Sequence, residues 1–291
     1  MLSELYIGND KTKESLLASV KAGRLSHSIL LSGEKGNGVN YLALLLACEL
    51  LGVSSTKELN SHPAVRIMEG DTGVRREYSV GAMRELIGEM SNTSIDSESR
   101  IVILKNCERF NTSSANAFLK TLEEPKSDVY FILTTNDISS IIPTIRSRCS
   151  IYQVGDVSDE EARDYLEEIS RDDDIIENLI RIYGGNIGKS KRCLEDPARY
   201  ALLKNSIDIY NLLLKGDAYE VSKAMYRYNR DKNSIAVILE DLTVLCSKKY
   251  TRKTVSVIDV IEKYRGLLQT NVNLNLMIEC FASEAARAAS V

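Results

Sequence analysis

The residues with the clearest chemical setting lie at 26–50, where SHSILLSG runs into EKGNGVNYLALLLACEL. An apolar run, a glycine-rich turn and a helical pattern make the setting of a phosphate-binding loop. There, backbone N–H groups and a helix N-terminus cradle anionic oxygens. The nucleotide-binding form reads GxxxxGK followed by Ser or Thr. Gly33 and Gly38 occupy its glycine positions with Gly36 between them, but Val39 stands where the lysine belongs and Asn40 where the hydroxyl belongs. The ammonium that reaches the β- and γ-phosphates and the hydroxyl that ligates Mg²⁺ are both missing. Lys35 lies inside the loop, at a position that does not substitute. Two readings stand side by side: an incidental strand-to-helix turn, or a loop that kept its backbone shape and lost its catalytic side chains.

A second position bears on the choice. After the apolar run Ile101–Leu104 a P-loop ATPase carries acidic residues for Mg²⁺ and for activating water, whereas this chain has Lys105 and Asn106. A lysine there repels Mg²⁺, and Asn is no general base. Glu108, about a turn further on, reads as a surface residue.

Composition closes off other chemistry. The chain has 291 residues, 37 Lys and Arg against 41 Asp and Glu, and a formal charge of −4. Mild acidity argues against holding nucleic acid by bulk charge. The histidines are His27 and His62, and the cysteines Cys48, Cys107, Cys149, Cys193, Cys246 and Cys280. None of these is spaced as a zinc cluster, so no metal or cofactor is expected. MLSELYIGND carries charges where a signal peptide needs an apolar core, and no apolar window spans a membrane. Free thiols in a reducing cytoplasm follow as the expectation.

The elements that must position these residues can be read from the hydrophobic runs. Strands are predicted at Ser28–Ser32, Ala64–Met68, Ile101–Leu104, Val129–Thr134 and Ser150–Val154, with helices at 39–51, 79–91 and 113–124. Continuous apolar strands alternating with helices predict a three-layer α/β domain on a parallel sheet. Asn111 to Ser113 offer helix caps, and Pro125 stops the helix by lacking an N–H and disfavouring helical geometry at Glu124. After Val154 the pattern is helical: a start at Ser158, a helix near 174–183, the break GGNIG, then helices at 200–214, 217–229, 233–250, 254–268 and 273–289. This division predicts an α/β domain at 1–155, a small helical lid at 156–198 and an all-α collar at 199–291.

SSANAFLKTLEEPKSDVYFILTTNDISSIIPTIRSRC, residues 113–149, resembles the clamp-loader branch of AAA+ proteins. NAFLKTLEEP and TIRSRC look like signatures of the bacterial DNA polymerase III gamma/tau and delta-prime subunits. The likeness runs from about residue 5 to 196, and the helical tail matches in architecture only. It decides for the emptied loop over the incidental turn.

The resemblance implies roles residue by residue. Ser147-Arg148-Cys149 matches the SRC motif, in which the arginine is a finger presented to ATP held by a neighbouring subunit. Thr135 and Asn136 match polar residues that sense phosphate or orient water, and Gly188 stands where ATP-using relatives place a second sensing arginine. The family's four-cysteine zinc module has no counterpart, since Cys48 is followed by no cysteine before Cys107. A broken nucleotide site beside a retained finger is the delta-prime pattern. It implies an ATPase-inactive stator acting with gamma/tau and delta subunits, reaching the sliding clamp indirectly and primed DNA through the complex. The alternatives are an active ATPase using a noncanonical loop and a non-replicative interaction module.

Overall fold

The protein is described here by a computed structural model that covers residues 5–69, 77–91, 99–124, 129–248 and 251–290. Five strands, β1 (Ser28–Ser32), β2 (Val65–Glu69), β3 (Arg100–Lys105), β4 (Val129–Thr135) and β5 (Ser150–Gln153), form one parallel sheet in the order β2-β3-β4-β1-β5. Parallel neighbours require crossovers, which helices supply. They are α1 (Asp10–Lys21), before β1, then α2 (Val39–Leu51), α3 (Thr56–Asn60), α4 (Val80–Ser91), α5 (Thr112–Glu123) and α6 (Pro143–Arg146).

Successive residues of a strand face opposite sides, and the core divides accordingly. Ile29, Leu31, Ile101, Ile103 and Ile132 pack with Leu42, Leu45 and Leu46 of α2. Leu30, Val102, Leu104, Phe131 and Leu133 face the other way, onto Met83 of α4 and Ala115, Phe118 and Leu122 of α5. β1 is buried along its whole length, whereas β2 and β5 at the edges are not. The three-layer α/β module expected from the continuous apolar runs is therefore present. At the head of α5 the Asn111 side chain accepts the Ser114 amide at 2.9 Å and Ser114 Oγ accepts the Asn111 amide at 3.1 Å. Pro125 lies outside the described residues.

The rest is helical: α7 (Asp159–Ile169), α8 (Asp173–Tyr183), α9 (Ile187–Glu195), α10 (Pro197–Leu214), α11 (Ala218–Tyr226), α12 (Lys232–Ser247), α13 (Arg252–Leu268) and α14 (Leu274–Ser290). The chain separates into two compact units: one runs to Glu161 and includes Gly185–Gly188, and the other comprises Ala162–Gly184 and the chain from Lys189 onward. In the second, one apolar core runs from Leu166 of α7 and Leu179 of α8 to Phe281 of α14. Inside it, Asp241 of α12 accepts bonds from Arg199 of α10 at 2.5 and 3.0 Å and from Ser206 at 2.9 Å. No described helix is long and apolar enough to cross a membrane.

Helices α1, α3, α6 and α9 go beyond the sequence expectation. Each is short or polar: α1 buries Lys13 and Leu16, and α9 buries Ser190 and Cys193.

Candidate functional site

In an open parallel sheet, ligands bind at the carboxyl ends of strands near the point where strand order reverses. Here that point is β1, flanked by β4 and β5. Ser32 pairs with Thr135 and Leu104 with Leu133, which brings the segments after β1, β3 and β4 level with one another. The loop Gly33–Gly38, Asn106 and Asn136 therefore converge from distant parts of the chain.

The loop has a defined polarity. Gly36 and Gly38 take φ values of 111° and 72°, in the region that favours glycine, and Gly38 leads directly into α2. Three successive carbonyls meet donors from the chain itself. Asn186 Nδ2 reaches the Lys35 carbonyl at 3.4 Å, the Gly188 amide donates to Gly36 at 3.1 Å, and the Tyr6 hydroxyl donates to Asn37. Asn186, 1% exposed, also lies 2.8 Å from Asn37 Oδ1 and 3.2 Å from Asp156 Oδ1. A Cβ on Gly36 would overlap the Asn186 side chain, and one on Gly188 would overlap the Gly36 carbonyl. A phosphate cradle offers N–H groups; the contacts of Lys35–Asn37 with Asn186, Gly188 and Tyr6 are made through carbonyl oxygens. Val39, 5% exposed, belongs to the apolar core beneath the loop. Burial pushes the Tyr6 phenol well above its ordinary range, so it stays a hydroxyl donor.

A second polar group closes the strand ends. Asn40 Oδ1 accepts the Thr134 hydroxyl at 2.5 Å, and Thr134 Oγ1 accepts the Asn106 amide at 3.0 Å. Asn106 is buried with φ 58° and donates through Nδ2 to Glu69 Oε1 at 2.8 Å, where Arg109 also donates at 3.3 Å. Asn136 Nδ2 lies 3.1 Å from both Asn106 Oδ1 and Glu108 Oε1, and the Asn136 amide donates to Glu108 Oε2 at 3.3 Å. Thr135 Oγ1 stands 2.9 Å from Glu108 Oε2. Lys105 is half-buried beside Glu69 in the β2–β3 register, and the Tyr78 hydroxyl stands 2.6 Å from its carbonyl. Among the described residues no group of three or more His, Cys, Asp or Glu could hold a metal ion.

Glu108 thus differs from the surface residue expected. The left-handed Asn106 and the 3₁₀ turn Cys107–Arg109 fold its carboxylate back onto Thr135 and Asn136. Sequence reasoning also missed Glu69, whose partners Asn106 and Arg109 lie 37 and 40 residues away, and Asn186, whose loop partners lie 149 and 151 residues away. The available signal for Asn186 was its setting, GGNIG, where Gly185 and Gly188 let the backbone come close.

The Ser147-Arg148-Cys149 corner makes its bonds elsewhere. Arg148 Nε donates to Glu123 Oε1 at 2.8 Å and Nη2 donates to the same oxygen. Nη1 donates to the Thr144 carbonyl at 2.8 Å and to Ser147 Oγ at 3.3 Å. The Arg148 side chain keeps 31% exposure. Cys149 turns toward the core on the α5 side, and desolvation pushes its thiol up to about 12. That thiol is a packing group rather than a nucleophile.

Residues 8–158 match the family model described as DNA polymerase III, delta subunit. The chain is 27% identical over 250 residues to DNA polymerase III subunit gamma of Buchnera aphidicola subsp. Acyrthosiphon pisum, covering 79% of this chain and 69% of that protein. It is 31% identical over 146 residues to subunit delta' of Bacillus subtilis, covering 46% and 44%, and 26% identical over 189 residues to subunit delta' of Escherichia coli, covering 60% and 56%. The chain therefore spans between under half and about two thirds of the length of these relatives. Among solved structures, a DNA polymerase III gamma subunit-related protein from Thermotoga maritima shares the fold, with TM-score 0.52, 19% identity, and coverage of 94% of this chain and 99% of that one. The family match takes in more than half of the residues: the chain belongs to the DNA polymerase III delta subunit family, and its fold is of the AAA+ type.

Proposed function

We propose that this chain is a delta-prime-like, ATPase-inactive stator of the DNA polymerase III clamp loader, which supplies Arg148 in trans to ATP held by a neighbouring gamma/tau subunit. The observation that carries this reading is the polarity of the loop at Lys35–Asn37, whose carbonyls are taken by Asn186, Gly188 and Tyr6. Carbonyl oxygens repel phosphate oxygens, and Val39 and Asn40 supply neither the ammonium nor the hydroxyl of a working loop. Lys105 and Asn106 stand in place of the acidic pair, Thr135 and Asn136 are tied to Glu108, and Gly188 leaves no second arginine.

The trans role rests on a different kind of support. Arg148 is accessible and lies in an SRC sequence, with Ser147 and Cys149 as its framework. A guanidinium spreads donors over a γ-phosphate as charge redistributes in the transition state, an effect worth roughly 10³–10⁵ in rate where fingers operate. In this reading the α/β segment 1–155 carries the finger, 156–198 is the lid, and 199–291 is a collar joining gamma/tau and delta subunits in the cytoplasm. The sliding clamp is reached indirectly and primed DNA through the complex. The gamma and tau similarities bring the alternative of an ATPase with a noncanonical loop.

The test is reconstitution with gamma/tau, delta, sliding clamp and primed DNA. Arg148→Ala is expected to lower the ATPase rate of the complex by roughly 10³–10⁵. An unchanged rate overturns the finger assignment.

A further inference from the structure

The end of α5 touches the arginine directly. Glu123 Oε1 accepts from both Nε and Nη2 of Arg148, while the Thr144 carbonyl and Ser147 Oγ accept from Nη1. A guanidinium carries five N–H groups. These contacts occupy four of them and leave, among the described residues, one Nη2 N–H and the exposed part of the side chain for a partner. Two separate elements, the last turn of α5 and the 144–147 segment, thus hold two edges of one plane.

We infer that Glu123 is a positioning residue for Arg148: it fixes the guanidinium plane before a neighbour's ATP arrives, so that the outward N–H and the charge are presented in one orientation. The inference rests on the reading of Arg148 as a finger acting in trans. Its physical basis is orientational. An arginine held by α6 alone keeps rotamer freedom that must be surrendered when it engages phosphate, and a preset geometry removes that cost from the reacting complex. The ion pair does little for folding, because both side chains are open to water, Glu123 at 47% and Arg148 at 31%. A residue that matters for orientation and hardly for stability has a distinctive signature: the rate of the complex falls while the free chain melts where it did before.

The experiment compares Glu123→Ala, Glu123→Gln, Arg148→Ala and the adjacent exposed Glu124→Ala in the reconstituted complex, with thermal melting of each free chain. Glu123→Ala is expected to lower kcat for ATP by about 10- to 100-fold, with KM held within about twofold. Glu123→Gln, which keeps an acceptor at Oε1, recovers most of the loss, and Glu124→Ala and the melting temperatures stay at the wild-type values. If Arg148→Ala slows the complex while Glu123→Ala leaves kcat unchanged or raises it, the positioning role is overturned and the finger reading stands. A glutamine variant no better than alanine, or a melting temperature that falls along with the rate, overturns it as well. An Arg148→Ala complex at full rate removes the finger reading itself, and Glu123 with it.

Discussion

Two regions of the α/β unit, both built from polar side chains at strand and helix ends, are organised in opposite senses. At the loop after β1, Tyr6, Asn186 and Gly188 donate to the carbonyls of residues 35–37, and Asn40 accepts from Thr134. At the corner after α6, Arg148 is held from behind by Glu123 and Thr144 yet faces water. In the proposed reading, the contrast is between a loop whose polar groups are bonded within the chain and an arginine kept open for a partner. A polar loop without a ligand must satisfy its backbone groups or leave them unpaired at about 1–3 kcal/mol each, and at Lys35–Asn37 the chain's own donors meet the carbonyls. An arginine with the proposed trans role has the reverse requirement, since its donors must be held without being exhausted.

Substitutions in the two regions should separate stability from partner activity. The largest stability effect is expected for Gly188→Arg, which supplies the arginine that the proposed reading finds missing but drives a side chain into the Gly36 carbonyl. A loss of about 2–4 kcal/mol and a clear fall in melting temperature should follow, with no gain in ATP affinity. Asn186→Ala should cost about 1–3 kcal/mol, because it strips buried partners from Lys35 and Asn37. Arg148→Ala, so damaging to the complex in the proposed role, should change the stability of the free chain by no more than about 1 kcal/mol. An Arg148→Ala chain that melts as early as Gly188→Arg would erase the distinction between the regions. The smallest response is expected of Cys149. With its thiol pushed up to about 12, deprotonation is favoured only above that pH. At pH 8 alkylation should label exposed Cys280 and spare Cys149, measured by mass spectrometry of the peptides.

The elements with strong apolar runs were legible in the sequence. β1 and α2 fall where the residues place them, at Ser28–Ser32 and Val39–Leu51, because buried strands and a helix rich in Leu and Ala write continuous patterns. Elements such as α1 and α9 were not, since half of what they bury is polar, Lys13 beside Leu16 and Ser190 beside Cys193, and leaves no apolar stripe. In the candidate site, the missing lysine and hydroxyl at Val39 and Asn40 could be read from spacing alone. What occupies the loop could not. Asn186 comes from some 150 residues away through a glycine-flanked turn, and Glu108 arrives through a left-handed Asn106, a conformation that Asn tolerates but that its sequence position does not dictate. The apolar stripes of α7, α8 and α10 to α14 likewise did not say that one core would unite them.

The measurement that tests the central claim most directly is calorimetric titration of the purified chain with Mg-ATP, followed by an ATPase assay on the same sample. The account predicts no binding heat and no turnover, because the loop presents carbonyls already engaged by Asn186, Gly188 and Tyr6. Micromolar binding of Mg-ATP with hydrolysis by the chain alone would contradict it.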